Sequence, residues 1–327
     1  MKEKVIKEIE QKMASILNNE QREKLKDVLL YTFFNIEVTN IKDELIEDTT
    51  DYTQLFISAK RIEGCSERTL NYYETTINNM IKKINKKVNY IETEDLRNYL
   101  SEYQSKNNCS KVTIDNVRRI LSSFFAWLED EDYIVKSPVR RIHKVKAIQT
   151  VKETYTDEEL EEMRDSCTEI RDLAMIDFLS STGVRVGELV NLDIVDVNMQ
   201  ERSCVVLGKG GKEREVYFDA RTKIHLQNYL NRRTDNNSAL FVSLLKPYDR
   251  LKISGVEIRL RELGRKTNIR KVHPHKFRRT MATKAIDKGM PIEQVQVLLG
   301  HRKIDTTLQY AMVNQNNVKN SHKRFIC

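Results

Sequence analysis

Cysteine is scarce in this sequence, and no two cysteines form a CxxC pair. The five cysteines are spread along 327 residues, so neither a disulfide framework nor a cysteine-based zinc site is expected. No apolar run approaches the roughly 20 residues that a membrane helix needs. The charged N-terminus, MKEKVIKEIEQKM, lacks the apolar segment of a signal peptide. These absences favour a protein of the reducing cytoplasm with no membrane partner.

Clustered carboxylates are missing beside the basic segments, so the ion-holding cluster of a metal-dependent nuclease is not expected. No metal or other cofactor is predicted. The stretch GKGGKER (208–214) lacks the GxxxxGK[ST] pattern of a P-loop and lies between predicted strands. It is better explained as a hairpin tip that carries Lys209 into a site, with an ordinary basic turn as the alternative.

Basic residues are in excess, mainly in the second half of the chain. The net charge of +8 divides into +1 over residues 1–150 and +7 over residues 151–327. Residues 259–284 contain ten basic residues and one acidic residue, Glu262. A basic field of this density indicates a polyanionic partner, most simply nucleic acid.

Helical periodicity dominates the first half of the chain. Residues 1–48 have apolar side chains three or four apart, which predicts a helical extension of one or two amphipathic helices, interpreted as an appendage or an oligomer contact. Residues 49–140 are predicted to form a small all-helical domain, with Ser66 and Thr93 as N-caps. Pro138 is expected to stop the last of these helices.

A basic linker is predicted at 141–151, and a second domain at 152–327. The linker region is either simply solvated or lies along DNA phosphates. The second domain opens on a capping box, Thr156-x-x-Glu159, and SCVVLGKGGKEREVYF reads as a hairpin. Further helices are predicted at 221–232, 251–267, 275–288 and 291–299, with Pro291 in a first turn. The fold class is therefore mainly α, with two domains, the second mixed α/β with a small antiparallel sheet.

The segment STGVRVGELVNL (181–192) places Arg185 just beyond a glycine turn, at the opening of a short helix. The planar fork of an arginine in this position can bind a phosphate with bidentate geometry. Glu188, three residues on, can brace a neighbouring backbone or side chain. An ordinary surface Arg–Glu pair is the alternative.

Two further segments contain residues suited to anionic substrates. HPHKFRRTMATKAI (273–286) places His275 and Arg278 on one helix face. LLGHRKIDTTLQY (298–310) puts His301 at a helix terminus and Tyr310 near the start of a polar helix with Asp305 as N-cap. Because threonines and a glutamine precede Tyr310, its surroundings are expected to be wet, which weakens its interpretation as a core residue.

In this order, TG-x-R-x-x-EL, a lysine in a β-turn, H-x-x-R and LGH-x8-Y form the motif set of the tyrosine recombinases, the phage integrase family. The sequence resembles the Xer branch of that family in both domains. SERTLNYY and KVTIDNVRRILSSFFAWL are similar to helices of its core-binding, SAM-like DNA-binding domain, and residues 152–312 resemble its catalytic domain. The resemblance implies six catalytic residues: Arg185, Lys209, His275, Arg278, His301 and Tyr310.

The chemistry of a phosphodiester gives each of these residues a role. The resemblance implies Tyr310 as the nucleophile, and its phenol, with an ordinary pKa of about 10, must lose a proton as it attacks. Arg185 and Arg278 would hold the non-bridging oxygens and offset transition-state charge. His301 would hydrogen-bond the same phosphate.

Proton transfer falls to the remaining two residues. His275 is expected to assist at the tyrosine as general base and then acid. Lys209 would protonate the departing 5′-oxygen, although Lys212 could compete for that role. The covalent phosphotyrosine conserves the bond energy, so rejoining needs neither ATP nor metal. The DNA-binding candidates are Arg140, Arg141, Lys144, Lys146, Lys212 and Arg279.

The resemblance also implies partners: double-stranded recombination sites, with a homotetramer on two sites that exchanges strands through a Holliday junction. Monomers or dimers are compatible with the DNA-free state. The protein would act in the cytoplasm, associated with the nucleoid when bound, in integration, excision, inversion or resolution. The tail after Tyr310 is predicted to dock on a neighbouring subunit. The alternatives are a type IB topoisomerase and a catalytically silent DNA-binding regulator.

Overall fold

The computed structural model describes residues 2–14, 16–36, 50–146, 153–208, 211–301, 304 and 307–308. The chain divides into two compact units, Met1–Ile148 and Gln149–Cys327. The predicted positions Lys209, Asp305 and Tyr310 lie outside the described residues.

Helices build the first unit. They are α1 (Lys2–Met13), α2 (Asn19–Thr32), α3 (Tyr52–Ile62), α4 (Glu67–Ile84), α5 (Thr93–Asn107) and α6 (Lys111–Asp130). Short 3₁₀ turns cover Val88–Tyr90 and Pro138–Arg141. Helices α1 and α2 pack on each other, and α2 buries none of its residues.

An aromatic core joins α3, α4 and α6. Phe56 on α3 meets Phe124 and Trp127 of α6 at ring-centroid distances of 5.4 and 5.7 Å, edge to face. The buried residues of α6 recur three or four positions apart, from Ile114 to Leu128, so one apolar stripe of this helix faces the core. The predicted helical domain is thus held by packing of large side chains.

Local signals at helix ends explain where the predictions succeed and fail in this unit. Ser66 caps α4, as predicted, because its hydroxyl accepts a hydrogen bond from the Thr69 amide. Thr93 as N-cap of α5 is wrong: Glu92 holds that place, since its amide donates to the Asp95 carboxylate at 2.9 Å. Pro138 does not stop α6, which ends earlier at Asp130.

The second unit is also mainly helical. Its helices are α7 (Asp157–Asp165), α8 (Ile170–Thr182), α9 (Val186–Asn191), α10 (Ala220–Asn231), α11 (Ile253–Lys266), α12 (Pro274–Asp287) and α13 (Ile292–Leu299). A 3₁₀ turn at Ile194–Asp196 precedes the strands β1 (Val197–Asn198), β2 (Ser203–Leu207) and β3 (Glu213–Tyr217).

The three strands form an antiparallel sheet in the order β1-β2-β3. The predicted hairpin is confirmed, with Cys204 opposite Val216. β1 was not predicted, because two residues are too few to show an alternating pattern. Mainly helical units and one small antiparallel sheet confirm the predicted fold class.

Helix α8 lies at the centre of the second unit, in contact with α10 and α12. Most of its residues between Arg171 and Thr182 are buried, which fits a helix covered on all sides. The predicted capping box of α7 is confirmed at Thr156 and Glu159. Pro291 lies one residue outside its predicted place, as the residue before α13.

Candidate active site

Arg185 stands where α8 gives way to α9. Gly183 ends α8 in the left-handed conformation, with φ +61°, which glycine adopts without steric cost. The chain then turns so that Arg185 precedes α9 as its N-cap. Its backbone amide donates to Glu188 at 2.8 Å, and Nη1 donates to the same carboxylate at 2.8 Å. About a third of the Arg185 side chain remains exposed.

Glu188 is a buried carboxylate shared by two arginines. Besides Arg185, it accepts both Nη atoms of Arg214 from β3, at 2.8 and 2.7 Å. Burial would raise the pKa of Glu188, but the hydrogen bonds from Arg214 and Arg185 lower it to about 2. Glu188 is therefore ionised at neutral pH and fulfils the predicted bracing of a neighbour.

Arg214 was missed at the level of sequence, although a signal was present. It shares the inward face of β3 with Val216, two residues on, where an alternating strand places buried side chains. An arginine on that face must meet a buried acceptor. The partner, Glu188, lies in a different motif and could not be named from periodicity.

Arg278, on α12, is buried and aimed at two helix ends. Its Nη1 donates to the carbonyl of Gly183 at 2.7 Å, and its Nη2 donates to the carbonyl of Leu299. The same Nη2 lies 3.1 Å from Nε2 of His301. Arg278 thus joins the segment that holds Arg185 to the segment that holds His301.

His301 follows Gly300, which ends α13 with φ +62°. Because a guanidinium only donates, Nε2 of His301 must accept from Arg278. The neutral ring then carries its hydrogen on Nδ1, which lies 2.9 Å from the Thr307 hydroxyl. Burial, and then the charges of Arg278, Arg185 and Arg214, lower the pKa of His301 to about 4.

Thr307, one of the threonines expected to leave the surroundings of Tyr310 wet, is itself fully buried. Because Tyr310 lies outside the described residues, the expectation for its surroundings remains a prediction. The Thr307 hydroxyl is the partner of His301, so it orients the imidazole rather than water. A threonine in a largely polar segment gives no sequence signal for such a contact.

His275 lies in the first turn of α12, on the exposed side, three residues before the buried Arg278. His273, just before the helix, is half-buried. Burial, followed by the charges of Arg279, His275 and Lys276, lowers the pKa of His273. Arg279 has a buried Nε without a hydrogen-bond partner among the described residues.

Of the two hairpin lysines, Lys212 is among the described residues and Lys209 is not. Lys209 is outside the described residues, so its predicted role remains a prediction. Lys212 is exposed, and its carbonyl accepts the Gly208 amide at 2.8 Å, which closes the hairpin turn.

The predicted DNA-binding residues of the first unit are exposed. Arg140 lies 3.7 Å from Glu129, and Arg141 ends the 3₁₀ turn. Lys144 and Lys146 flank Val145, whose side chain packs on the first core and whose amide donates to Asp115. The backbone that carries these four cations is therefore fixed to the first unit.

The basic segment 259–284 presents less free charge than its composition indicates. Arg259 pairs with Asp172 and Glu262, and Lys284 pairs with Asp157. Lys276 is buried over the Tyr155 ring, 4.3 Å from its centroid. The exposed cations of the segment that pair with no described carboxylate are Arg261, Arg265, Lys266, Arg270 and Lys271.

The described residues contain neither a metal-binding group nor a membrane-spanning helix. No group of three or more His, Cys, Asp or Glu side chains is arranged to hold a metal ion there. Among the same residues, no helix is long and apolar enough to cross a membrane.

Comparison with known proteins places this site in a family. Residues 151–317 match the model of the phage integrase family, and residues 53–134 match that of the phage integrase N-terminal SAM-like domain. The chain belongs to the phage integrase family. The family predicted from the motif set is confirmed, and with it the class of site-specific DNA recombinases.

A relative and two solved structures are similar to this chain. The tyrosine recombinase XerC of Staphylococcus aureus strain MRSA252 is 29% identical over 290 residues, covering 83% of this chain and 96% of the relative. The fold is shared with the XerH recombinase bound to a palindromic difH substrate, at 20% identity, TM-score 0.67 and coverage of 97% and 93%. A lambda integrase dimer bound to a COC′ core site gives 16% identity, TM-score 0.68 and coverage of 88% and 85%.

Proposed function

We propose that the protein is a tyrosine recombinase that cuts and rejoins DNA strands at specific sites through a covalent 3′-phosphotyrosine. The observation that supports this most is the meeting of Arg185, Arg278 and His301 at the ends of α8 and α13. Arg278 binds the Gly183 carbonyl, and Arg185 donates to the Gly300 carbonyl at 3.2 Å. Each arginine is thus oriented by the segment that carries another proposed phosphate ligand.

The described residues of the site carry more positive than negative charge: three arginines, Arg185, Arg214 and Arg278, and one carboxylate, Glu188. Arg185 and Arg214 bind Glu188, and Arg278 donates to the Gly183 carbonyl. His301 is neutral because its pKa is lowered to about 4. A bound phosphodiester would offset the surplus positive charge, most strongly as charge builds on phosphorus oxygens in the transition state. We propose that Arg185 and Arg278 donate to the non-bridging oxygens.

To bind the substrate, Nε2 of His301 would have to exchange its hydrogen bond with Arg278 for one with the phosphate. Its Nε2 now accepts from Arg278. An anion beside the ring favours the imidazolium and raises its pKa, so a bound phosphate would let Nε2 carry a hydrogen and donate to it. Thr307 would keep the ring plane fixed through Nδ1.

The bond changes follow from the proposed nucleophile. The bond from the Tyr310 oxygen to phosphorus forms, and the bond from phosphorus to the 5′-oxygen breaks. We propose that the exposed His275 takes the phenol proton and that Lys209 gives one to the leaving oxygen. The phosphotyrosine retains the bond energy, so the reverse attack by a 5′-hydroxyl needs neither ATP nor metal.

We propose that the two units divide DNA recognition and chemistry. Residues 49–140 would form the core-binding domain, 141–151 the basic linker and 152–327 the catalytic domain, with 1–48 as an extension. The exposed cations Arg140, Arg141, Lys144 and Lys146 would contact phosphates, as would Lys212 and Arg279 in the second unit. Four protomers on two sites would exchange strands through a Holliday junction, in the cytoplasm where the DNA lies.

A covalent trapping experiment tests the proposal. The wild-type protein selects its site from randomised duplexes, and a nicked duplex of that sequence then serves as a suicide substrate with EDTA present. We expect a protein–DNA adduct with wild type and with Tyr90→Phe, an exposed tyrosine of the first unit, and none with Tyr310→Phe. Metal-dependent cleavage without an adduct would contradict the proposal.

A plasmid experiment separates recombination from simple relaxation. Plasmids with two copies of the selected site should yield excised or inverted products with wild-type protein. Relaxation of supercoils without such products would point to a topoisomerase instead.

A further inference from the structure

Arg214 uses its whole guanidinium on two other segments. Its Nη1 and Nη2 donate to the two oxygens of Glu188, at 2.8 and 2.7 Å, and its Nε donates to the Leu298 carbonyl at 2.8 Å. The side chain is only 10% exposed. One residue of β3 therefore connects the hairpin to α9 and to the end of α13.

The close approach of Arg214 to the end of α13 favours a glycine there. A Cβ added at Gly300 would lie 3.0 Å from Cδ of Arg214, and the φ of +62° at this residue also disfavours other side chains. Gly300 directly precedes His301. The position of Arg214 is thus coupled to the chain that presents the imidazole.

Occupation of Glu188 by Arg214 also limits what Arg185 can do. With both carboxylate oxygens engaged by the Arg214 fork, the Arg185 side chain reaches Glu188 through Nη1 alone, at 2.8 Å. Without Arg214, both oxygens of Glu188 could accept hydrogen bonds from the Arg185 guanidinium, in the bidentate geometry that arginine and carboxylate favour. Arg185 would then be turned away from the phosphate.

We propose that Arg214 is a positioning residue for DNA cleavage: it keeps Arg185 monodentate on Glu188 and fixes the end of α13 that carries His301. The inference rests on the proposed function, since it concerns the geometry of the same phosphate site. Lysine cannot replace Arg214, because a single ammonium cannot donate to both oxygens of Glu188 and also to the Leu298 carbonyl.

The first test compares cleavage by Arg214→Gln, Arg214→Lys and a matched control. Arg233→Gln is the control: Arg233 is equally buried in the second unit, with Asp235 and the Asn237 and Ala239 carbonyls as partners. Single-turnover adduct formation on the nicked selected duplex should fall about 100-fold in both Arg214 variants, as expected for a misplaced reacting group. DNA binding should be unchanged.

The second readout is the titration of His301, followed by NMR of ¹⁵N-labelled histidine in the full chain. The charges that face this ring are Arg278, Arg185 and Arg214. Arg214→Gln should raise the His301 pKa, because a cation is lost. Arg214→Lys should leave it near the wild-type value while cleavage still falls, which separates charge from geometry.

Three outcomes would overturn the inference. Full cleavage by Arg214→Lys would show that charge alone suffices, and a loss by Arg233→Gln equal to that of Arg214→Gln would show a general structural effect. An unchanged His301 pKa in Arg214→Gln would show that the two residues are not coupled. If wild type itself forms no adduct, the proposed function fails instead.

Discussion

The two units bury different chemistry. Among the described residues, the buried polar groups of the first unit are uncharged: Thr53, Thr76 and Ser137. Those of the second unit include six charged groups: Arg171, Asp172, Asp177, Glu188, Lys276 and Arg278. Apolar packing suffices to hold the first unit together. In the second unit, desolvation of the buried charges costs free energy, which fits a unit that must hold charged side chains at fixed positions.

Burial of charge alone does not identify the site within the second unit. Arg171 and Arg259 face Asp172 and Glu262, a balanced network. Asp177 lies between Arg164 and His225, with Glu161 close to Arg164. At the proposed site, Arg185 and Arg214 share Glu188, and Arg278 donates instead to the Gly183 and Leu299 carbonyls. A surplus of fixed positive charge, more than burial, distinguishes the proposed phosphate site from these structural networks.

The largest predicted effect breaks the packing of the first unit. Phe124→Ala removes a fully buried ring from the aromatic core and should lower the free energy of unfolding of that unit by about 3–5 kcal/mol. Trp127, the single tryptophan of the chain, lies in this core, so its fluorescence follows the first unit alone. Chemical denaturation monitored at Trp127 measures the change.

The matched control is Phe178→Ala, a fully buried ring of the second core. It should shift the circular dichroism transition and leave the Trp127 transition in place. Equal shifts of the Trp127 transition by both variants would mean that the two units unfold together, and the contrast between their cores would lose its energetic meaning.

The next largest predicted effect tests whether the charge or the geometry of Arg185 matters in the second unit. Arg185→Lys keeps the charge but loses the planar fork, so cleavage of the nicked duplex should fall by about 100- to 1,000-fold. Affinity for the selected duplex should stay within a few-fold, as judged by gel shift. Arg261→Lys, at an exposed residue of α11, is the control. Parallel loss of binding and cleavage in Arg185→Lys would make Arg185 a structural residue.

How far the sequence predicts the molecule depends on the range of each signal. The Ser66 cap and the Thr156 capping box are local, and both were predicted. Thr93 failed because an acidic pair at Glu92 and Asp95 begins the helix one residue earlier. A competing cap of similar strength is enough to move a boundary, which the periodicity of apolar residues does not resolve.

Contacts between distant segments were beyond the sequence. The motifs name Arg185, Arg278 and His301, but nothing in their spacing shows that Arg278 binds Gly183 or that Thr307 is buried against His301. Arg214 lies outside the six motif positions, although it makes three side-chain bonds to the site's segments. Composition likewise overstated the basic segment, because several of its cations have partners far away in sequence.

Acid should act on the second unit first. Glu188 has its pKa depressed from 4.5 to about 2, so its contribution to stability is complete above pH 4.5 and is lost as the pH falls towards 2. With a shift of this size, the contribution is about 3 kcal/mol at most. His301, with its pKa lowered to about 4, adds a loss of stability between pH 6.5 and 4.

The measurement is the free energy of unfolding of wild type and Glu188→Gln between pH 7 and 2. The gap between them should be widest above pH 5 and should close towards pH 2, while the Trp127 transition shows no difference between the two proteins. A gap that is constant with pH would contradict the depressed pKa of Glu188.

The smallest effects should be alike in the two units, because helix ends obey local rules whatever the core contains. Thr156→Ala removes the hydroxyl that accepts the Glu159 amide at 3.1 Å and should cost about 1 kcal/mol. Ser66→Ala should cost less, since its hydroxyl accepts the Thr69 amide at 3.4 Å. Urea denaturation followed by circular dichroism and Trp127 fluorescence measures both. A Ser66→Ala cost well above that of Thr156→Ala would mean that Ser66 does more than cap a helix, and that the first unit depends on polar groups more than its buried residues indicate.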